Sequence, residues 1–471
     1  MKNGKPLTIG IAGASGFVGR NLIDKLLTNT ETEIIGFCRD SRGQRWVDRL
    51  TWRSCDLYSQ LDAEAGLRDV DVAIYLVHSM LPSAQLSQGE FQDFDLIMAD
   101  NFQRAARKNG VKKIIYLSGI VPRGEKLSEH LESRLEVEQT LKASGIPVTS
   151  FRCGIIIGPN GSSFEMMLKL VKRLPLMICP SWTESLCQPI DLANVIHYIS
   201  KSVYDNHLDG KVVNLVGPEV MPYVVMLKKT GEFLNKTIPI IKSPYFSPGL
   251  STLWVRVITG APKNLVGPLV KSLKYDMTVQ NSGPVDENII GDKTFDKSLA
   301  ESFEWLQKKE NGFNKHERVY RPQVNSEEVR SIQRFILPEG KDATWVAQEY
   351  MRWLPKVLSF VVFKVEIIEG HIFFKMFGIF DLLVLTFSSE RSNKSRQLFY
   401  ISGGILASYS GRGRLEFRET CDKKYILAGI HDFRPSMPWF IYRYTQAILH
   451  AIVMKFFGRH LWKIQQKINR K

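Results

Sequence analysis

The sequence lacks several features that would assign it to common classes of protein. Its six cysteines form no C-x-x-C pair and have no histidine at zinc-ligand spacing, so we expect free thiols and no metal site. No apolar stretch reaches the roughly 20 residues that a helix needs to cross a bilayer. The first strand-like run begins at Leu7, which leaves no room for a secretory signal, so we expect a cytoplasmic protein.

Acidic residues are absent from the end of the chain. No Asp or Glu follows Asp432, whereas eight lysines and arginines do, and they contribute to the formal net charge of +15. This positive excess does not follow the phosphate-contact pattern of a known nucleic-acid module. We therefore expect no nucleic-acid partner.

One glycine-rich segment near the start has the pattern of a dinucleotide-binding turn. Gly13, Gly16 and Gly19 form a G-x-x-G-x-x-G motif between a strand-like run, 7–12, and a helical pattern. Glycines let the backbone turn sharply and approach a pyrophosphate, whose charge then lies at the free N–H groups of the helix start. The alternative for such a motif is an ordinary strand-to-helix turn.

The end of the second strand indicates which dinucleotide is bound. The position at which an NAD site carries Asp or Glu falls on Cys38, and Arg39 follows it. A neutral residue followed by arginine leaves room for a 2′-phosphate and offers a cation to pair with it. We therefore predict NADP(H) as the cofactor, with Arg39 as a solvated loop residue as the alternative.

Strand and helix patterns alternate through the first third of the chain. Strand patterns recur at 50–57, 70–79, 113–119 and 147–152, with helical patterns at 91–109 and 128–144. This rhythm predicts an α/β fold, a Rossmann doubly wound parallel sheet within residues 1–240, with a small cap region from about residue 154. Residues 241–318 are expected to extend the cap and to end in a linker.

A different, α+β pattern begins near residue 319. A strand at 329–337 and a helix at 342–358 precede a series of strands and one long helix that starts near Trp439. The series comprises 361–374, 382–389, 397–409, 413–419 and 424–433. The order is similar to the helix-grip plan of START and polyketide-cyclase-like proteins, which implies an apolar cavity between sheet and helix. We expect a helix-grip-like domain over 319–471.

The last helix combines apolar and basic residues. Its apolar positions are Phe440, Tyr444, Ile448, Ile452, Met454, Phe457, Leu461 and Trp462. This side either closes the core of the C-terminal domain or docks on an anionic membrane surface, as a basic amphipathic helix does. Both interpretations hold if only the end beyond Gly458 contacts the membrane, which would make the protein peripheral at the inner membrane.

Several segments together resemble one family. The glycine motif, Asp56-Leu57 after the third strand, Tyr116-Leu117-Ser118 on the fifth and the segment 130–138 are similar to the atypical, NmrA-like short-chain dehydrogenases/reductases. This resemblance covers about residues 7–240. The whole chain resembles bacterial NAD(P)-binding proteins that join an NmrA-like domain to an uncharacterised C-terminal domain.

The resemblance implies roles for individual residues along the dinucleotide. It implies that the pyrophosphate is lined by Gly13, Ser15, Gly16, Phe17 and Gly19, and the adenosine phosphate by Arg39. It further implies that the adenine contacts Asp56 and Leu57, and that the ribose lies over Leu76, Val77 and His78, with Ser118 near the nicotinamide.

The catalytic Ser, Tyr and Lys of that family are matched only in part. Ser118 fits the serine, whereas the tyrosine position falls on His130 and the lysine position on Arg134. A histidine titrates near neutrality and could still move a proton. An arginine can bind ribose hydroxyls, but its fixed charge makes it a poorer tuner of a neighbouring pKa. The alternative is that both residues lie on an exposed helix among glutamates.

Two functions follow from these patterns. The first is an NADP(H)-binding oxidoreductase that acts on a hydrophobic small molecule through Ser118, His130 and Arg134. The second is a non-catalytic NADP(H) sensor or scaffold that contacts a partner or a membrane surface.

Overall fold

The computed structural model describes residues 6–41, 44–79, 86–124, 126–243, 248–310, 328–358 and 363–470. The chain divides into two compact units. The first comprises residues 1–81 and 95–322, and the second comprises 82–94 and 323–471. The predicted domain boundary at 318/319 lies outside the described residues.

The helices and strands up to residue 310 are as follows. The elements up to residue 204 are β1 (Leu7–Ala12), α1 (Phe17–Leu26), β2 (Thr32–Cys38), β3 (Leu50–Ser54), α2 (Gln60–Gly66), β4 (Val72–Tyr75), β5 (Leu86–Gln88), α3 (Phe91–Lys108), β6 (Lys113–Gly119), α4 (Glu129–Lys142), β7 (Val148–Cys153), β8 (Ile156–Ile157), α5 (Ser162–Arg173), β9 (Met177–Pro180), β10 (Leu186–Cys187), β11 (Ile190–Asp191) and α6 (Leu192–Tyr204). They are followed by β12 (Val212–Val216), β13 (Met221–Pro222), α7 (Tyr223–Phe233), β14 (Ile240–Ser243), α8 (Pro248–Thr259), α9 (Lys263–Ser272), β15 (Glu287–Ile290) and α10 (Phe295–Glu310).

An eight-stranded parallel sheet forms the centre of the first unit. Its order is β15-β12-β7-β6-β4-β1-β2-β3. The chain leaves β1 for β2 on one side and returns for β4 on the other, which is the strand reversal of a doubly wound sheet. The predicted Rossmann fold is confirmed, and β15 adds an edge strand that the sequence patterns did not indicate.

The cap region packs around an apolar core of its own. Helices α5 and α7 contribute Phe164, Val171 and Met226 to this core, and Leu299 of α10 closes it. Residues 248–310 therefore belong to the first unit, where they complete the cap and the far edge of the sheet.

The second unit contains the predicted strand, helix, series of strands and terminal helical segment in that order. Its elements after residue 328 are β16 (Val329–Ile336), α11 (Ala343–Val357), β17 (Phe363–Ile368), β18 (His371–Met376), β19 (Phe380–Phe387), β20 (Arg396–Gly403), β21 (Arg414–Glu419), β22 (Tyr425–Phe433), α12 (Trp439–Tyr444) and α13 (Gln446–Ile468). The sheet order is β17-β18-β19-β20-β21-β22-β16-β5. A cavity of about 150 Å³ lies in this unit and is lined by residues that include Tyr350, Phe374, Phe433 and His450.

Three details of the second unit differ from the sequence patterns. The predicted strand 361–374 is interrupted by a turn at Glu369 and Gly370, both of which have positive φ, so it forms the hairpin β17–β18. The predicted long helix breaks at Thr445 into α12 and α13. The strand β5 comes from residues 82–94 and pairs in parallel with β16. Such a pairing between distant parts of the chain leaves no local signal.

The last helix divides its apolar residues between the core and the surface. Met454, Phe457 and Leu461 are buried against the sheet. In contrast, Phe440, Tyr444, Ile448, Ile452 and Trp462 are exposed. No helix in the described part of the chain combines the length and apolar character needed to cross a bilayer.

Helix α4 carries a buried ion pair that links it to the central sheet. Glu138 accepts two hydrogen bonds from Arg152 of β7, both of 3.0 Å, and both side chains are buried. Removing one partner of such a pair leaves the other charge uncompensated in a medium of low polarity.

We therefore expect Glu138→Gln to lower the free energy of unfolding by about 3 kcal/mol, since the Arg152 guanidinium would keep a hydrogen-bond acceptor but lose its counter-charge. The matched control is Glu132→Gln on the same helix, where the side chain is exposed. The control should change stability by less than about 0.5 kcal/mol. Urea unfolding of both variants measures the difference, and equal stabilities would contradict a structural role for the pair.

Candidate functional site

The glycine turn leaves no room for side chains at two of its positions. Gly13 has a φ of +87°, and a Cβ on it would lie 3.1 Å from the carbonyl oxygen of Leu76. A Cβ on Gly19 would lie 2.3 Å from the carbonyl oxygen of Gly13, which also accepts a 2.9 Å hydrogen bond from the Gly16 amide. Because of this close packing, the first turn of α1, which begins at Phe17, lies beside the carboxyl ends of the strands. Because the first N–H groups of a helix have no intrahelical partner, this turn can receive an anion.

The segment after β4 runs beside the glycine turn. The Leu76 amide donates a 3.0 Å hydrogen bond to the Ala12 carbonyl at the end of β1. This contact brings Leu76, Val77 and His78 next to the turn, at the carboxyl edge of the sheet where doubly wound folds bind their ligands.

The residues predicted to hold the adenosine end lie at the ends of β2 and β3. Arg39 is exposed immediately after β2, and Cys38 pairs in register with Ser54 at the end of β3. Asp56 accepts a 3.2 Å hydrogen bond from the Tyr58 amide, so its carboxylate also shapes the local turn. Leu57 is buried, and Asn101 of α3 donates to its carbonyl oxygen at 2.9 Å.

A cavity of about 280 Å³ brings the predicted catalytic residues together. Ser118 at the end of β6 and His130 and Arg134 on α4 all line it, together with Phe17 and His78. The cap closes the other side with Gly154, Ile155, Ile156, Gly161, Ser162, Ser163, Tyr223, Leu265, Leu269, Ser272, Leu273 and Met277. The predicted site residues thus extend from the cavity along the glycine turn to the ends of β2 and β3.

Arg134 is held by a residue that the sequence did not reveal. Its guanidinium Nη2 pairs with Asp95 Oδ2 of α3, and both side chains are buried. Asp95 also accepts hydrogen bonds from the Ser79 amide at 2.6 Å and from Ser133 Oγ at 3.2 Å. The sequence does contain one indication of this role: Asp95 interrupts the apolar run 94–98 of a predicted helix, and a buried carboxylate needs a partner.

The Nε–H of the Arg134 guanidinium is not used by the protein around it, as far as the described residues extend. Its Nε is buried and has no hydrogen-bond partner among the described residues. An arginine cannot lose its proton to relieve this situation, so the site keeps a fixed positive charge with a free N–H. The interpretation of α4 as an exposed helix is therefore wrong for Arg134.

The electrostatics around His130 differ from the expectation of a near-neutral histidine. Its Nδ1 lies 3.3 Å from Ser272 Oγ, which in turn lies 2.8 Å from Ser128 Oγ. Burial, and then the nearby Arg134 and His78, lower the pKa of His130 to about 3. The expectation that His130 titrates near neutrality is therefore wrong, because desolvation and a fixed cation both disfavour the imidazolium.

An apolar pocket of about 140 Å³ adjoins the cavity within the cap. The two share Ile155, Ser163, Tyr223, Leu269 and Leu273 as wall residues. The rest of the pocket is lined by Met166, Met167, Leu170, Trp182, Met226, Leu227, Val255, Val266 and Val270. This lining suits an apolar molecule. Across the described ranges, His, Cys, Asp and Glu side chains form no group of three that could hold a metal ion.

The N-terminal part of the chain is similar to known proteins. Residues 13–170 match a family described as NAD(P)H-binding. The chain is 33% identical over 109 residues to the auxiliary protein GraX of Staphylococcus aureus, and the match covers 23% of this chain and 35% of GraX. The chain thus spans about a third of the length of this relative.

Two solved structures align with more than half of the chain. A nucleoside-diphosphate-sugar epimerase from Staphylococcus aureus aligns with a TM-score of 0.50 at 14% identity, over 62% of this chain and 99% of its own. An NADPH-dependent quinone oxidoreductase from Escherichia coli aligns with a TM-score of 0.49 at 18% identity, over 63% and 99%. At this level of identity the epimerase shows the fold alone.

The environment of His130 predicts its behaviour in solution. Because its folded pKa is lowered, His130 should stay neutral from about pH 8 to about pH 5, where an ordinary histidine with a pKa of about 6.5 gains a proton. NMR of ring-labelled histidine measures this, with His130→Gln to assign the signal. A chemical-shift change of the His130 ring centred near pH 6.5 would contradict the buried, cation-flanked environment.

The same shift links His130 to stability. Below the unfolded pKa of about 6.5, the His130 ring gains a proton in the unfolded state but not in the folded state. The contribution of His130 to the free energy of unfolding is therefore fully present above about pH 6.5 and is lost as the pH falls toward 3.

Proposed function

We propose that this NAD(P)H-binding domain, whose fold is that of the atypical short-chain dehydrogenases/reductases, serves as an NADP(H)-dependent oxidoreductase for a hydrophobic small molecule. One observation carries the proposal. The cavity that joins Ser118, His130 and Arg134 begins at Phe17 of the glycine turn and adjoins an apolar pocket in the cap. A dinucleotide and an apolar substrate could therefore meet at these three side chains.

The residues at the carboxyl edge of the sheet fit a phosphorylated dinucleotide. Gly13 and Gly19 give the backbone its close approach, and the start of α1 offers free N–H groups to a pyrophosphate. Cys38 stands where an NAD site would carry an acid, and the exposed Arg39 offers a cation for a 2′-phosphate. When bound there, NADPH would supply a hydride to the substrate.

Arg134 would hold the cofactor rather than exchange protons. Its Nε–H has no acceptor within the described part of the chain, and a ribose hydroxyl oxygen is an acceptor of suitable chemistry. Asp95 pairs with Nη2 and so fixes the direction of the guanidinium plane. We assign Arg134 to binding and Asp95 to positioning it.

Ser118 and His130 would act on the substrate oxygen. A hydroxyl at the end of β6 can donate to an oxygen on which negative charge develops. His130 is neutral at physiological pH, so its ring can position a group by a hydrogen bond but does not supply an imidazolium proton. The proton that completes a reduction would therefore reach the product from the Ser118 hydroxyl or from solvent.

The cofactor assignment is testable by binding alone. Arg39→Ala should weaken NADPH binding roughly tenfold and leave NADH binding unchanged, because only NADPH carries the 2′-phosphate that the guanidinium pairs with. Arg68→Ala is the matched control, since Arg68 is also exposed but precedes β4 at the opposite edge of the sheet. Fluorescence titration gives the NADPH/NADH affinity ratio, and an unchanged ratio in Arg39→Ala would show that the phosphate assignment is wrong.

Catalysis is tested with a panel of aldehydes, quinones and enones in the presence of NADPH. With a substrate from the panel, Ser118→Ala should lower kcat/KM roughly a hundredfold while NADPH still binds, because one hydrogen-bond donor to the reacting oxygen is lost. His130→Ala should leave the shape of the pH–rate profile unchanged. Tight NADPH binding without turnover across the panel would favour the sensor or scaffold function, in keeping with the name auxiliary protein that GraX carries.

A further inference from the structure

Helix α13 exposes an apolar row that the core of the second unit does not use. Ile448, Ile452 and Phe456 recur every four residues and are 45–48% exposed, so they lie along one side of the helix. The buried residues Met454 and Phe457 lie on another side. The helix therefore closes the core and presents a second apolar surface outward.

The turn between β18 and β19 is also apolar and exposed. Phe377 and Ile379 lie in this turn, Phe380 follows as the first residue of β19, and the three are between 51% and 76% exposed. Turn positions most often carry Gly, Pro, Asn, Asp or Ser rather than large apolar residues. Three large apolar side chains at a hairpin tip indicate that something other than water covers them.

Backbone hydrogen bonds join this turn to the start of the terminal helices. The Ile405 amide donates to the Asp381 carbonyl at 2.9 Å, and the Ser436 amide donates to the Leu406 carbonyl at 3.3 Å. The β18–β19 turn, the loop 404–408 and the segment that leads into α12 are thus neighbours. They add exposed Ile405, Phe440 and Tyr444 to the apolar residues of the turn.

The charged residues of the terminal helices around this surface are all basic. Arg443, Lys455 and Arg459 are exposed beside the apolar row, and no Asp or Glu follows Asp432. The Arg443 guanidinium lies 5.8 Å from the ring centre of Tyr444, and that of Arg459 lies 5.7 Å from that of Phe456. Asp381, an acid next to the turn, lies 3.9 Å from the ammonium of Lys375.

We propose that the second unit docks on an anionic phospholipid bilayer through this surface, which we call the apolar platform: the turn 377–380, Ile405, Phe440, Tyr444, Ile448, Ile452 and Phe456. Apolar side chains enter the boundary between headgroups and acyl chains, and the flanking cations attract the anionic headgroups. A cationic rim without acids on the helices is complementary to such lipids. The proposal is independent of the proposed catalytic function.

The platform also revises where a membrane contact would lie on the last helix. The exposed apolar residues of α12 and α13 are concentrated before Gly458, and the hairpin turn and the loop 404–408 extend the surface beyond the helices. A contact confined to the end beyond Gly458 would involve only Trp462 of the large exposed apolar residues of the helix.

Vesicle co-sedimentation of the full chain tests the proposal. We expect the protein to sediment with vesicles of phosphatidylglycerol and phosphatidylcholine, and much less with phosphatidylcholine alone, because the cations contribute to binding. The double variant Ile379→Ser/Phe440→Ser should weaken binding to the mixed vesicles at least roughly tenfold, because it removes apolar area from two separate segments of the platform.

Two further variants test whether the position of the apolar residues matters and whether the cations contribute to binding. Ile367→Ser/Ile368→Ser is the matched control, since both residues are exposed on β17 but lie at the opposite end of the β17–β18 hairpin. It should bind as the unmodified protein does. The triple variant Arg443→Gln/Lys455→Gln/Arg459→Gln should reduce binding to the mixed vesicles to the level seen with phosphatidylcholine alone.

Three results would overturn the proposal. The first is absence of sedimentation with either kind of vesicle. The second is an equal loss of binding in the platform and control variants, which would indicate a nonspecific apolar effect. The third is a dimer, detected by light scattering, that the platform variant dissociates while no vesicle binding occurs, which would make the platform a surface between two copies of the chain.

Discussion

The candidate site depends on a steric constraint at the turn after β1. The carbonyl oxygen of Gly13 approaches Gly19 so closely that a Cβ on Gly19 would lie 2.3 Å away. This approach fixes the start of α1 relative to the ends of β1 and β4, and the backbone of Leu76 packs against the same turn. The first N–H groups of α1, which have no intrahelical acceptor, therefore lie at the edge of a parallel sheet where doubly wound folds bind a pyrophosphate.

A second constraint is the fixed charge of Arg134. A buried guanidinium needs a counter-ion, and Asp95 on α3 supplies it. The same positive charge disfavours protonation of the nearby His130, so the electrostatic states of the two residues are physically linked. The cavity therefore combines a cation that keeps its charge with a histidine whose pKa is lowered.

The second unit shows how one helix can serve two surfaces. Phe457 of α13 packs against Tyr350 and Trp353 of α11, with ring centres 5.0 and 5.1 Å apart, and so completes the core. The outward row of Ile448, Ile452 and Phe456 takes no part in that packing. The helix is therefore apolar on two sides, which accounts for the way its sequence fits both a core helix and a membrane-surface helix.

Features that arise from local sterics and periodicity are predictable from the order of residues alone. The glycine spacing predicts the tight turn, and the alternation of strands and helices predicts the parallel sheet, because each depends on residues close together in the chain. Four other features emerge only once the chain is folded: the pairing of Asp95 with Arg134, the lowered pKa of His130, the addition of residues 86–88 to the second sheet and the side of α13 that is exposed. These properties depend on burial and on contacts between residues far apart in the chain, and a local pattern carries no information about either.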